Sequence, residues 1–166
     1  MMRFKITALL AVLTAVLSPG GSRYALGDEA KLPKGFYAFG PDQTIADIGK
    51  IDWQPLKLDG LPPGAEIASL RGDLGKGGGE ILLRVPANYT VPNHSHISDE
   101  VYVWLKGDFS YIAADGSQAA LQAPAYISLP GNTPHALKCG NESCLFYLKY
   151  ARPFDLHVHE MPVAKR

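Results

Sequence analysis

The feature that most constrains the fold of this chain is a regular alternation of short apolar runs with turn-forming residues. Beyond Asp28 the runs are separated by clusters of Gly, Pro, Asn and Asp, and they recur at intervals of roughly ten residues. This spacing is typical of all-β sandwiches and barrels, and no helical periodicity of useful length is present there. The sequence therefore predicts an all-β domain. The runs are AEIASLRG, EILLRVP, EVYVWLKG, DFSYIAADG, AYISLPG, HALKCG, CLFYLKYARP and DLHVHE.

Residues 1–27 have the layout of a secretory signal peptide. Arg3 and Lys5 precede an uncharged apolar run over residues 6–17, and a Ser-Pro-Gly-Gly sequence ends the run. The run is shorter than the ~20 residues that span a bilayer, so a permanent anchor is the less favoured interpretation. Small residues place cleavage after Gly27. We therefore expect a periplasmic or extracellular protein with no stable membrane insertion after cleavage.

Removal of that segment would leave 13 basic residues against 16 acidic ones, a net charge near −3. A mildly acidic surface without a basic run does not attract phosphate backbones, so nucleic acid is not an expected partner. The rest of the chain suits one domain with a single core. Residues 28–50 contain Pro and Gly and are only weakly patterned. We expect them to form an N-terminal arm that covers a barrel made by residues 51–160.

The two cysteines, Cys139 and Cys144, flank the turn-forming sequence GNES between two predicted strands. An oxidising compartment permits disulfides, so the pair is predicted to face each other across a hairpin and to form one. Two half-buried thiols are the alternative, which a cytoplasmic location would favour. A single pair at this spacing is weak evidence for a metal site, because no second pair completes one.

Side chains that bind metals are concentrated in the stretch NHSHISDEVYVWLKG, from Asn93 to Gly107. Side chains two apart on a strand share a face, so His94 and His96 are expected to point the same way. Glu100 has the same parity if the strand keeps its register. Imidazole nitrogens and a carboxylate suit a divalent Zn, Fe, Mn, Ni or Cu ion. The sequence therefore predicts a metal site on this strand.

The spacing of these residues resembles the two sequence motifs of the cupins. His94-x-His96, three residues, Glu100, six residues and Gly107 resemble the first motif. The sequence Pro-x-x-x-x-His that ends at His135 resembles the second motif.

This resemblance covers roughly residues 53–148. The stretches PANYTVPNHSHISDEVYVWLKG and LPGNTPHALKC are most similar to single-domain cupins related to the cupin-like part of ChrR-type anti-sigma factors. The resemblance implies a double-stranded β-helix, also called a cupin barrel or jelly roll. It also implies four protein ligands to the metal: His94, His96, Glu100 and His135.

Three positions depart from the cupin pattern. Asn88 and Asn132 replace glycines that usually precede the first and the last histidine, and Cys139 replaces the Asn that closes the second motif. Asn is the non-glycine residue that best tolerates a positive φ, so we expect both asparagines to keep their turns intact. All four ligand positions remain filled.

The function implied by the resemblance is broad. Cupins with this ligand set include dioxygenases, decarboxylases and isomerases, and also noncatalytic sensors and storage proteins, so fold and ligands do not select a reaction. Four protein ligands leave room for further groups on the ion. We expect a metal-dependent enzyme of oxygenase type that acts on a small organic molecule. The alternative is a noncatalytic ligand-binding or sensing module with a structural Zn. No catalytic base is identified.

The strand that follows the first motif also bears on oligomeric state. If Glu100 faces the interior, Tyr102 and Trp104 do so too, either as the lining of an aromatic pocket or as core. Val101, Val103 and Leu105 then face outward, and an outward apolar row needs a cover. The arm or a second subunit can supply it, and we expect a homodimer. The direction of each of these six side chains, inward or outward, follows from the alternation of side chains along a strand.

A second His-x-His sequence, His157 and His159, lies near the carboxyl end. A second metal site would explain it. No further ligand motif follows it, so surface or substrate-side histidines are the favoured interpretation.

Overall fold

The computed structural model describes residues 32–40 and 42–160. In this part of the chain thirteen strands and no helix are present, so no helix there is able to cross a membrane. The predicted signal peptide, residues 1–27, lies outside the described residues. The strands are β1 (Phe36–Tyr37), β2 (Ile45–Ala46), β3 (Gln54–Pro55), β4 (Glu66–Asp73), β5 (Gly77–Val85), β6 (Thr90–Ser95), β7 (Glu100–Lys106), β8 (Asp108–Ala113), β9 (Gln118–Gln122), β10 (Ala125–Leu129), β11 (His135–Cys139), β12 (Cys144–Tyr150) and β13 (His157–Val158).

Two antiparallel sheets form the body of the domain. One has six strands in the order β10-β7-β12-β5-β4-β3, and the other has five in the order β13-β6-β11-β8-β9. The main core lies between them, because it joins Trp104 and Phe146 of the first sheet to Phe109 and Leu137 of the second. Trp104 is stacked between Phe109 and Phe146, with ring centroids 3.5 and 4.5 Å away.

Buried and less buried side chains alternate along β7 as predicted. Glu100, Tyr102 and Trp104 are buried, whereas Val101 and Val103 are only half-buried on the opposite face. Each of the eight predicted runs contains a strand, but the short strands β1, β2 and β3 and the strand β9 were not predicted, and β6 was not predicted as a strand separate from β7. The polar sequence TVPNHS of β6 and the sequence QAALQ of β9 lack the alternation or the β-branched content that mark a strand.

Both asparagines that replace motif glycines adopt the left-handed conformation. Asn88 and Asn132 each have a φ of 61°. The expectation that they preserve the turns is confirmed, because Asn is tolerated in this region of φ where most side chains are not.

The structure joins Cys139 and Cys144 in a disulfide, as predicted. The predicted hairpin is wrong, however, because β11 belongs to the five-stranded sheet and β12 to the six-stranded one. The disulfide therefore ties the ends of two strands in opposite sheets. Residues 140–143 cross between the sheets instead of turning back along one of them.

A second, smaller core lies on the outer face of the six-stranded sheet. Phe36 and Ala46, from the short strands β1 and β2, pack there with Ile51, Ala68 and Leu82. This part of the arm thus covers β4 and β5. It does not bury the outer face of β7 and β10, where Leu105 is 41% exposed and Tyr126 is 66% exposed.

Candidate metal centre

The four predicted ligands come from three strands at one end of the barrel. His94 lies on β6, His96 directly follows β6, Glu100 begins β7 and His135 begins β11. All four side chains are buried, with 0–3% of each residue exposed. Unpaired polar groups are costly to bury, so each of these side chains needs a partner inside the protein.

The route by which these residues meet differs from the predicted one. The sequence interpretation placed His94, His96 and Glu100 on one strand face, but β6 and β7 belong to different sheets. The chain bends over residues 96–99, and Glu100 meets the histidines from the opposite sheet. The ligand spacing was predicted, but the single-strand geometry was wrong.

The second motif holds this bend in place. The backbone N–H of Asn132 donates a hydrogen bond to the His96 carbonyl at 2.6 Å, and the backbone N–H of Gly131 donates to Asp99 Oδ1 at 2.8 Å. A side chain at position 131 would overlap the carbonyl of Ile97, so only glycine fits there. The turn that leads into β11 therefore positions both His135 and the bend that carries His96.

The imidazoles and the carboxylate lie in contact with one another. Glu100 Oε1 is 3.1 Å from His96 Nε2, and Glu100 Oε2 is 3.7 Å from His135 Nε2. The ring centroid of His94 is 4.3 Å from that of His135 and 5.0 Å from that of His96. In the described residues no group of three or more His, Cys, Asp or Glu side chains is arranged to hold a metal ion as it stands. Binding an ion would require Glu100 to exchange its contacts with the imidazoles for bonds to that ion.

The hydrogen bonds of the three histidines fit a metal site. His94 Nδ1 lies 2.8 Å from the Pro92 carbonyl, His135 Nδ1 lies 3.0 Å from the Thr133 carbonyl, and His96 Nδ1 contacts the Asp155 carbonyl. A carbonyl only accepts, so each Nδ1 must carry the proton and donate. In a neutral ring the lone pair is then on Nε2, the atom that binds metals in this tautomer.

Two tyrosines hold Glu100. The hydroxyls of Tyr102 and Tyr150 donate to Glu100 Oε1 at 2.7 and 3.1 Å, and the Tyr102 hydroxyl is also 3.1 Å from His135 Nε2. Tyr102 is thus part of the site and not core alone. Tyr150 was not predicted, although it shares its inward parity with Phe146 and Leu148 on β12.

Burial shifts the pKa values of the site in opposite directions. It lowers the pKa of His94 to about 3 and that of His96 to about 4, and it also lowers the pKa of His135. Burial raises the pKa of Glu100 to about 7, although hydrogen bonds from Tyr102 and Tyr150 oppose the rise. Unperturbed histidines, with a pKa near ~6.5, would be the groups on which protons compete with a metal. The structure instead makes Glu100 the group whose proton competes near neutral pH.

These shifts predict how the stability of metal-free protein depends on pH. From about pH 5 to about 6.5 the unfolded chain binds protons on three histidines, whereas the folded chain holds one extra proton on Glu100. The unfolded state then binds on average about one and a half more protons, so the free energy of unfolding should rise by about 2 kcal/mol per pH unit and level off near neutral pH. The raised pKa of Glu100 opposes this rise, because the proton that the folded state keeps on Glu100 costs stability as the pH rises from about 4.5 to about 7. Denaturant titrations across this range measure the slope.

The slope should be unchanged in His157→Ala, because the exposed His157 lies outside the buried cluster. A stability that is flat from about pH 5 to 6.5 would contradict the assignment of three neutral buried histidines.

The second His-x-His sequence does not form a second cluster with other ligands. His157 Nε2 pairs with Asp155 Oδ2 at 2.7 Å, and His159 Nε2 lies 2.8 Å from Ser95 Oγ. Both histidines are exposed. His157 lies on β13 and His159 directly follows it. Because β13 pairs with β6 opposite His94 and Ser95, this segment fastens the end of the described chain to the strand that carries the first ligand.

Comparison with known proteins places this arrangement in a family. The model of the ChrR cupin-like domain matches residues 32–153, which is most of the chain. No curated protein matches the sequence.

Several solved structures are similar in fold. The polyketide cyclase RemF from Streptomyces resistomycificus has 18% identity and a TM-score of 0.54, with 64% of this chain and 80% of that chain covered. The Cnp3 cupin domain of Schizosaccharomyces pombe has 13% identity and a TM-score of 0.53, with 66% and 75% covered. The DMSP lyase DddQ from Ruegeria pomeroyi has 18% identity and a TM-score of 0.52, with 63% and 57% covered.

At these identities the solved structures establish the fold alone, and they confirm the predicted double-stranded β-helix. Two of these neighbours, the cyclase and the lyase, are enzymes by name. The match to the family model extends over the strands that carry all four predicted ligands. The chain is therefore a member of the ChrR cupin-like family.

Proposed function

We propose that this protein is an exported, metal-binding cupin and an enzyme of oxygenase type that acts on a small organic molecule. The observation that carries the proposal is the common orientation of the three histidines. Each gives its Nδ1 proton to a backbone carbonyl, and two of the Nε2 atoms lie within 4 Å of the Glu100 carboxylate. Three fixed imidazoles around one carboxylate form a donor set suited to a divalent ion, whether Zn, Fe, Mn, Ni or Cu.

A divalent ion held by His94, His96, Glu100 and His135 would supply Lewis-acid or redox chemistry. The protein would contribute position and proton control. Tyr102 and Tyr150 orient the Glu100 carboxylate by hydrogen bonds to one of its oxygens. In the ion-free protein burial raises the pKa of Glu100 to about 7, so near neutral pH this group has to release a proton in order to bind the ion.

An apolar cavity adjoins the centre and gives a small molecule a place beside it. His94, His96, Tyr102 and Tyr150 form part of its wall. Ligand sites are usually apolar recesses with a few converging polar groups, and this recess has that composition.

A noncatalytic ligand-binding or sensing role with a structural Zn is the second candidate. The near-complete burial of all four predicted ligands favours it, because a closed site leaves little room for an exchangeable water. The two roles differ in turnover and not in metal content.

The test uses protein purified without an affinity tag from its native compartment. Elemental analysis should find one divalent ion per chain, and mass spectrometry should find a mature chain that begins near Asp28. An oxygen-consumption screen with small organic molecules follows on the same sample. Turnover supports the enzyme, a bound ion with no turnover supports the sensing role, and a metal-free protein that takes up no added ion would contradict both.

We further propose a homodimer that covers the exposed face of β7 and β10. The wild-type protein should sediment as a dimer at micromolar concentration, and Tyr126→Glu should shift it to a monomer. In a symmetric interface the substitution places two like charges close to apolar surface. Tyr37→Glu, on the arm and 41% exposed, is the matched control and should stay dimeric. A monomeric wild-type protein would refute the dimer.

A further inference from the structure

The cavity beside the candidate metal centre has a wall that is nearly all hydrocarbon. Its volume is about 140 Å³. Aliphatic and aromatic side chains supply most of the lining, and no Lys, Arg, Asp or Glu belongs to it among the described residues.

The few polar side chains in the wall already have partners. Tyr102 and Tyr150 donate their hydroxyl protons to Glu100, and His94 and His96 donate from Nδ1 to backbone carbonyls. Because no lining side chain among the described residues is a Lys, Arg, Asp or Glu, a charged ligand would find no counter-charge in the wall of the ion-free protein, and it would lose its hydration on entry.

Two segments outside the long strands contribute to the cavity wall. Leu56, Leu58 and Leu61 come from the residues around and after β3, and Phe154 and Leu156 come from the segment before β13. The segments touch at Gly60, where an added Cβ would lie 2.7 Å from Val158 Cγ2. Gly60 also has a φ of +87°, so a larger residue would be strained there for a second reason.

The second of these segments, which contains Phe154 and Leu156, lies beyond the part of the chain that the family model matches. That match ends at residue 153, whereas Phe154 and Leu156 complete the wall. The Phe154 amide donates to the Leu74 carbonyl at 2.7 Å, which fixes the start of the segment against the barrel. The shape of the cavity is thus set in part by residues outside the family-matched range.

We infer that the ligand of this cavity is a small uncharged molecule, mostly hydrocarbon and about the size of a single six-membered ring, with at most one polar group directed at His94 and His96. The volume supports this size, because an engineered apolar cavity of ~150 Å³ in another protein takes up benzene. The inference rests on the proposed function in placing the reacting group of the ligand at the ion. The apolar wall itself does not depend on the ion.

Toluene and benzoate are the probes, because they share a ring and differ in charge. Ligand-observed NMR titration of the full protein should show saturable toluene binding to one site per chain, both in ion-loaded and in ion-stripped samples. Benzoate should bind at least about a hundredfold more weakly to the stripped sample, since no cation in the wall compensates its charge. The comparison uses stripped protein because a carboxylate is able to coordinate an ion directly.

Leu156→Trp fills the cavity from its C-terminal side and should weaken toluene binding at least about tenfold. Leu58→Trp does the same from the other segment, in case the first variant does not fold. Leu105→Trp places the same substitution on the outer face of β7 and should leave toluene binding unchanged.

Three outcomes would overturn the ligand class: no toluene binding to folded protein, benzoate binding as tight as toluene in the stripped sample, or full toluene binding in both filled variants. Elemental analysis of the same samples separates this inference from the proposed function. Toluene binding in a protein that takes up no ion supports the ligand class while refuting the metal centre. An ion-loaded protein that does not bind toluene overturns the ligand class alone.

Discussion

Replacing His135 by alanine should remove nearly all bound metal from the purified protein. His135 is wholly buried and is held by the Thr133 carbonyl, so its Nε2 is fixed in the site and its loss removes one bond to the ion. Changes to groups that only orient a ligand already cost about 10- to 100-fold in metal affinity, and loss of the ligand itself should exceed that. His96→Ala should have the same effect. Elemental analysis of dialysed protein measures the metal content of each variant.

His157→Ala and His159→Ala are the matched controls. Both are exposed histidines on the segment next to the site, and their partners are Asp155 and Ser95. They should retain one ion per chain. If His96→Ala and His135→Ala keep full metal while His157→Ala loses it, the assignment of the ligands is wrong.

Ending the chain after Pro153 should weaken metal binding by about 10- to 100-fold and also destabilise the fold. The truncation removes the Asp155 carbonyl that holds His96 Nδ1, so His96 loses its fixed tautomer and orientation. It also removes Phe154 and Leu156 from the cavity wall, and loss of their burial together with exposure of the apolar neighbours that they cover should cost about 2 kcal/mol. Competitive chelator titrations measure the affinity, and thermal unfolding measures the stability.

Two further variants show whether the effect belongs to the carbonyl. A chain that ends after Glu160 keeps the whole described segment and should behave as the wild type. Asp155→Ala removes the carboxylate, which accepts from the Ile97 amide and pairs with His157, but leaves the carbonyl in place. It should retain most of the metal affinity. Equal affinity in the chain that ends after Pro153 and in the wild type would show that His96 needs no support from this segment.

The ligand residues were predictable because their spacing is local and their side chains are chemically distinctive. His94, His96 and Glu100 lie within seven consecutive residues, and a His-x-His pair followed by Glu is a strong signal in sequence alone. The parity of β7 was predictable for the same reason, because alternation of apolar residues is visible in sequence. The turn conformations of Asn88 and Asn132 followed from the tolerance of asparagine for positive φ.

What was missed depends on contacts between distant parts of the chain. The bend over residues 96–99 sends β6 and β7 to different sheets, and no local pattern distinguishes such a bend from a continuous strand. His96 is held by a backbone carbonyl. Every residue has such a carbonyl, so the sequence does not indicate which one makes the contact. The disulfide was predicted from proximity in sequence, but which sheets it joins is a matter of topology.

The contact between His96 and the Asp155 carbonyl also sets an order of events during synthesis. The two residues are 59 positions apart, and the ribosome makes His96 first. A nascent chain that has reached β12 already contains all four predicted ligands, yet it lacks the carbonyl that fixes one of them. Domains fold as units while the chain is being made, so an ion bound at that stage would have a site in which His96 is not yet held in place. Full affinity should therefore arise only after the segment that contains Asp155 has been made and has docked against His96.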